Sequence, residues 1–211
     1  MVKKGFTLAE VLITLGVIGI VATITIPNLI GNYAKKQQVA QLQRSVNALS
    51  VAATTYLADN DQDTLEATNF ADDRENFIQN YLKGSYATRV ADVFPNKYQG
   101  YLSYGEYSIS DATSSFLSNW SLSNEDICGK LKTGAAICIG RTANDDGKRI
   151  VVIDVNGDAN PNVFGRDVFG VILNADGSIG SPGGDVIGGG EYKGEYYAFR
   201  NIMNAGWVMN Y

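Results

Sequence analysis

The chain of 211 residues contains no histidine. That absence removes the usual base of Ser–His and Cys–His catalytic pairs and a common zinc ligand. Cysteine is limited to Cys128 and Cys138, which cannot make a zinc site by themselves. There is no basic block and no low-complexity tract. Seventeen Lys and Arg against 22 Asp and Glu leave a formal charge of −5. An acidic exterior argues against general electrostatic binding of nucleic acid and leaves only a local basic patch open. Charge is most conspicuously missing from residues 5–30, GFTLAEVLITLGVIGIVATITIPNLI, where Glu10 is the single charged side chain.

That run organises the chain. Lys3 and Lys4 stand just ahead of it. From Phe6 to Ile30 it would reach ~37 Å as an α-helix, and a bilayer core of ~30 Å needs about 20 apolar residues. A water-soluble domain has little reason to begin with a helix that is apolar on every face. Glu10 is then the residue to explain, because a carboxylate at membrane depth costs roughly 2.5–3.5 kcal/mol on insertion scales. The next basic residue downstream is Lys35, too far along to reach it. The expected partner is therefore external, or is made by processing: cleavage after Gly5 would turn Phe6 into an α-amino terminus close to Glu10. An ordinary secretory signal has a shorter apolar core with its cleavage site behind it, whereas here Gly5 lies in front. A plain single-pass anchor accounts for the length but not for Glu10.

Lys3-Lys4-Gly5-Phe6-Thr7-Leu8-Ala9-Glu10 and the apolar run behind it closely resemble the class III signal of type IV pilins and type II secretion pseudopilins. The resemblance covers roughly residues 3–35. It implies cutting after Gly5 by a prepilin peptidase, methylation of the new Phe6 amine, and a role for Glu10 in docking subunits into a helical fibre. Pro27 falls where many family members carry a helix-loosening proline. The implied partners are the peptidase, like or related pilin subunits, a membrane assembly platform and inner-membrane lipid. The implied place is the bacterial inner membrane, single-pass with the N-terminus cytoplasmic, followed by a periplasmic or extracellular fibre. Lys3 and Lys4 give the same orientation by the positive-inside rule.

The organisation expected is a leader at 1–5, a transmembrane and amphipathic helix at 6–57, and a globular extracytoplasmic head at 58–211. The head has the usual size of one domain, enough for a core without metal or disulfide help. Outside the cytoplasm, Cys128 and Cys138 would form one disulfide worth ~2–3 kcal/mol in the chain-entropy account; in a reducing cell they would be two thiols.

Beyond Gly31-Asn32, Val39, Leu42, Val46, Leu49, Ala53 and Tyr56 recur at spacings of three and four, one apolar stripe on an amphipathic helix. Lys35, Lys36, Gln37, Gln38, Gln41, Gln43 and Arg44 are expected on the other face, and Asp59-Asn60-Asp61 ends the helix. A polar loop follows at 58–69, then a second short helix over 70–82 with Gly84 as its C′ residue. A strand is expected within 101–109. Strands are expected at 135–141 and 149–155, joined by Asn144-Asp145-Asp146-Gly147 as a hairpin, and at 168–173, closed by Asn174-Ala175-Asp176-Gly177. Residues 180–190 read as a glycine-rich loop, and residues 197–211 as a short helical pattern with an apolar tail around Trp207. The fold class is α+β, pilin-like: a long N-terminal helical spine, transmembrane in its first half, packed on a small antiparallel sheet.

In the head, Asp154, Asn156, Asp158 and Asn160 place oxygens at alternate positions, with Asp167 further on. Hard cations such as Ca²⁺ take six to eight oxygens. An EF-hand fails, because Ala159 and Gly165 stand where Gly and Glu are required. Two readings stay open: a looser calcium loop using Asp154, Asn156, Asp158 and Asp167, or Asx turns and a tight Asn-Gly bend needing no metal. Several major pseudopilins hold calcium in a head loop, so the resemblance adds to the first. The glycine run at 183–190 lacks a following Lys-Ser/Thr and is read as a surface loop. Adjacent acids such as Asp72-Asp73, Glu125-Asp126 and Asp145-Asp146 are read as solvated. Tyrosines at 98–107 offer either a stacking surface or core and fibre contacts.

Together these features point to a non-enzymatic structural subunit of a type IV pilus or type II secretion pseudopilus. The alternative is a membrane-anchored extracytoplasmic binding module that never polymerises, with or without calcium.

Overall fold

The computed structural model describes residues 5–84, 87–89, 93, 98–100, 106–107, 126–142, 147–157, 159–181 and 198–210. The chain divides into two compact units, Met1–Gln37 and Gln38–Tyr211. One helix, α1 (Leu8–Asp59), contributes to both. The boundary in packing therefore falls inside the helix: residues 38–59 belong with the head.

In the first unit α1 is apolar and uncovered. Phe6, Leu12, Ile13, Ile18, Ile24 and Leu29 are all exposed. Its threonines turn their hydroxyls back onto the helix: Thr14, Thr23 and Thr25 donate to the carbonyls of Val11, Gly19 and Val21 at 2.9, 2.7 and 2.9 Å. Bonds of this kind satisfy a threonine hydroxyl within its own helix. Pro27 lies within the helix without ending it.

In the second unit the 3–4 stripe is buried as its spacing predicts: Val39, Leu42, Val46, Leu49, Ala53 and Tyr56 all join the core. Gln38 is buried with them, although its polarity suggested the outer face. It lies four residues before Leu42, hence one turn along the same side. Asn60 Nδ2 donates to the Tyr56 carbonyl at 2.8 Å as the helix ends, and Asp61 takes the left-handed conformation at φ 52°.

The loop after α1 holds a 3₁₀ turn at Leu65–Ala67, and Leu65 N–H donates to the Ala175 carbonyl at 2.8 Å. The second helix is shorter than expected. Residues 69–73 form turns, and α2 (Arg74–Asn76) continues directly into a wider π turn at Phe77–Tyr81. The left-handed residue that closes it is Lys83, φ 54°, in place of Gly84. Gly84 is needed for closeness instead: its N–H bonds Ile78 O at 2.8 Å, and a Cβ there would lie 3.0 Å from that carbonyl. Tyr56 packs edge-on against Phe70, Phe77 and Tyr81, and its hydroxyl donates to Asp73 Oδ2 at 3.1 Å.

Nine strands form one sheet among the described residues: β1 (Ala87–Arg89), β2 (Tyr98–Gly100), β3 (Glu106–Tyr107), β4 (Ile127–Lys130), β5 (Ala136–Thr142), β6 (Arg149–Asp154), β7 (Val163–Phe164), β8 (Val168–Leu173) and β9 (Ile179–Gly180). The order is β1-β4-β5-β6-β8-β7-β2-β3, with β9 on β8. Its centre, β4-β5-β6-β8, is antiparallel, while β7 pairs in parallel with β2 and β8. Register aligns apolar residues in rows: Ile137–Ile153–Phe169 and Ile139–Val151–Val171 face the core shared with α1. Every residue of β6 is buried, as befits a central strand covered on both faces. The expected strands at 135–141, 149–155 and 168–173 correspond to β5, β6 and β8, whereas β4 lacked a clear pattern. Residues 143–146 of the expected hairpin, most of 101–109 and the glycine run at 182–190 lie outside the described residues.

The turn after β8 rests on α1. Gly177 lies close against it, a Cβ there reaching Leu57 Cδ1 at 3.3 Å and Ala53 Cβ at 3.4 Å, and its left-handed backbone at φ 82° is what favours glycine. The last helix, α3 (Ala198–Asn204), buries Ala198, Phe199 and Ile202. Trp207 folds back beside Phe199, its N–H donating to Ile202 O at 2.8 Å, and Met209 is buried.

Candidate functional site

The chain presents two places where chemistry departs from packing: the start of α1 and the loop between β6 and β8.

At the helix start, Gly5, Phe6 and Thr7 precede the first turn, and Phe6 is 90% exposed. Thr7 and Glu10 form a reciprocal capping box. Thr7 N–H and Oγ1 donate to Glu10 Oε2 at 2.8 and 2.9 Å, and Glu10 N–H donates to Thr7 Oγ1 at 3.3 Å. The expected charge partner of Glu10 was external or made by processing at Phe6; beside it the structure adds uncharged hydrogen-bond partners three residues away. The Thr-x-x-Glu spacing ahead of an apolar run was the available signal. The box engages one carboxylate oxygen, Oε2, but supplies no counter-charge. Among the described residues one helix, α1, is long and apolar enough to cross a membrane.

In the second place, Asp154 ends β6 and Asp167 precedes β8, and both are fully buried. The pairing of Asp154 with Val168 and the bond from Val155 N–H to Asp167 O at 2.8 Å hold them on adjacent backbone. Asp154 Oδ1 accepts from Asn156 N–H at 3.2 Å, an Asx turn. Asp167 accepts from Val163 N–H at 2.6 Å and from Asn162 N–H at 2.8 Å, one on each carboxyl oxygen. Burial pushes the Asp167 carboxyl above the ordinary range, against the pull of those N–H groups and of the Asn156 side chain. The sharp bend is made by a cis Asn160–Pro161 peptide and by Asn162 at φ 51°.

Asp154, Asn156 and Asp167 are thus brought together. Asp158 lies outside the described residues. The turn chemistry accounts for much of the loop, yet two amide oxygens stay over: Asn156 Oδ1 and Asn162 Oδ1 are buried without a hydrogen-bond partner among the described residues. Buried acceptors without donors are rare and costly. Two carboxylates and two orphaned amide oxygens make an all-oxygen donor set of the kind a hard cation takes. They are fewer than six, and no group of three or more His, Cys, Asp or Glu suited to a metal occurs among the described residues. Asn162 continues the alternate spacing of 154, 156, 158 and 160 but was not among the ligands expected.

Cys128 and Cys138 pair directly across β4 and β5, with Cα atoms 4.0 Å apart, and are joined as a disulfide. Glu125-Asp126 was read as solvated, but Asp126 is buried and ion-paired with Arg74 at 3.1 Å.

Residues 1–26 match the family described as the prokaryotic N-terminal methylation motif. Over 131 residues the chain is 31% identical to type II secretion system core protein G of Klebsiella pneumoniae, a match covering 59% of this chain and 92% of the relative. It is 30% identical over 142 residues to the protein of the same name from Escherichia coli (strain K12), covering 58% and 94%. With that of Vibrio cholerae serotype O1 it shares 35% over 111 residues, covering 49% and 73%. No solved structure matches the chain.

Proposed function

The chain belongs to the pilin and pseudopilin family that includes type II secretion system core protein G, and on that footing we propose that it is a structural subunit of a pseudopilus, cut after Gly5 and assembled through its N-terminal helix. The observation that carries the reading is an exposed apolar surface along the first unit's helix, interrupted by a single carboxylate at Glu10. In a bilayer, lipid covers that surface. Outside it, only other helices of the same kind can do so, and burial of apolar area supplies the driving force. Glu10 then sets register, because a wrong docking leaves a buried charge without a counter-charge. The Phe6 amine freed by a prepilin peptidase is the nearest such charge.

Lys3 and Lys4 hold the start on the cytoplasmic side and the head lies beyond the inner membrane. The subunit is not an enzyme; its work is packing. The loop at 154–167 would hold a calcium ion through Asp154, Asn156 and Asp167, with Asn162 as a further oxygen and Asp158 as the expected fifth. The orphaned amide oxygens support this. Calcium would supply the positive centre those oxygens lack.

The test is the intact mass and terminal sequence of the full chain extracted from a host with a prepilin peptidase. A start at Phe6, heavier by one methyl, is expected. A start at Met1 despite an active peptidase would favour a static anchor. For the loop, the full chain in detergent is titrated with Ca²⁺ after chelation. Binding to the wild type and its loss in Asp167→Asn are expected; a wild type that takes up no calcium returns the loop to turn chemistry alone.

A further inference from the structure

The disulfide hairpin and the oxygen-rich loop meet at one point. Register places Lys130 opposite Ala136 and Ala136 opposite Asp154. The residues before β5 and after β6 therefore run on beside each other. Leu131 N–H donates to Ala135 O at 2.7 Å, and Gly134 N–H donates to Leu131 O at 2.9 Å, so the β4–β5 turn is tightly closed. Its Gly134 carbonyl presses on Gly157: a Cβ at 157 would sit 2.6 Å from that oxygen. Gly157 is also left-handed, φ 63°. The residue just before it is Asn156, whose Oδ1 is one of the orphaned acceptors. A few residues from the turn, Cys128 and Cys138 tie the two strands together.

We propose that the disulfide-tied β4–β5 hairpin is a positioning device for the loop at 154–167, acting through the Gly134 carbonyl against Gly157 to hold Asn156 where it serves the cation. The proposal rests on the calcium reading for its function but not for its mechanics. Groups one step removed from a metal typically change its affinity by ~10–100-fold when altered, because they fix the ligands' directions. A wall of backbone behind Gly157 is of that kind. It explains why a seven-residue strand, β5, needs a cross-link so near the end that feeds the turn.

Two glycines make the test clean. Gly206, at φ 69° in the turn after α3, has nothing within 4 Å of a would-be Cβ, so Gly206→Ala adds backbone strain alone. Gly157→Ala adds strain and drives a methyl into the carbonyl. The full chain in detergent is measured as wild type, Gly206→Ala, Gly157→Ala and the Cys128→Ser/Cys138→Ser pair. The readouts are Ca²⁺ affinity and, in chelator, hydrogen exchange at the Val155 and Val163 amides, which are bonded to Asp167. Expected is a loss of about tenfold in affinity for Gly157→Ala and for the serine pair. Their Val155 and Val163 amides exchange faster, while Gly206→Ala stays near wild type on both counts. Wild-type affinity and exchange in Gly157→Ala would overturn the proposal, whether or not the serine pair folds. If the wild type binds no calcium, the cation reading falls and the buttress is decided by exchange alone: faster in Gly157→Ala sustains it, unchanged refutes it.

Discussion

Glu10 Oε2 accepts both the N–H and the hydroxyl of Thr7, at 2.8 and 2.9 Å, so the one carboxylate of the apolar run begins as part of a helix cap. A cap and a docking charge are separable properties. Glutamine at N3 can make the same cap, because it too offers a side-chain oxygen.

Glu10→Gln is therefore expected to keep the helix start and membrane insertion while incorporation into fibres falls, and Glu10→Ala to lose incorporation at least as far. The measurement is the sheared fibre fraction against total membrane protein. Wild-type fibre yield from Glu10→Gln would show that hydrogen bonding, not charge, is what assembly uses.

Arg74 is buried, with Nη1 donating to Asp126 Oδ1 at 3.1 Å and to the Ile139 carbonyl at 3.0 Å, and Nε to the Ala71 carbonyl at 3.0 Å. It ties α2 to the sheet. Removing one member of such a pair leaves a buried charge and costs ~3–5 kcal/mol. Arg74→Met is expected to lower the unfolding free energy by about that much in urea. Arg74→Met combined with Asp126→Asn should cost less than the two single changes added together; strict additivity would show that the pair does not interact.

Leu49 is fully buried on the inner face of α1, and Val51, two positions on, is 65% exposed. Leu49→Ala should cost ~2–5 kcal/mol through lost burial and the cavity left behind. Val51→Ala should stay within about 0.5 kcal/mol. Equal losses at the two positions would place the helix face wrongly.

Asp176 accepts from the Ser178 hydroxyl and N–H, at 2.6 and 3.0 Å, and these bonds hold its carboxyl below the ordinary aspartate value of 3.8. A lowered value in the folded state means the stabilisation is complete above the ordinary range and disappears as pH falls through the lowered one. Because the group is exposed, the effect on overall stability is small. Ser178→Ala removes the hydroxyl bond, which is the larger cause, and should raise the Asp176 midpoint in a carbon-detected NMR titration. An unmoved midpoint would assign the shift elsewhere.

The apolar run, long enough to cross a membrane, the amphipathic stripe from Val39 to Tyr56 and the strands β5, β6 and β8 were legible in the sequence, because each rests on a local period or an unbroken apolar stretch. Thr7 and Glu10 were legible too as a spacing, although the charge drew attention outward. Other features belong to the tertiary structure alone. Gln38 is buried because the turn it shares with Leu42 faces the core, and Asp126 is ion-paired because Arg74 arrives from 52 positions away. Lys83, not Gly84, takes the left-handed turn because Gly84 is pressed against Ile78. Period and polarity are properties of neighbours along the chain. What a buried polar atom meets, and whether two amide oxygens at Asn156 and Asn162 are left without donors, is decided only when distant strands close around them.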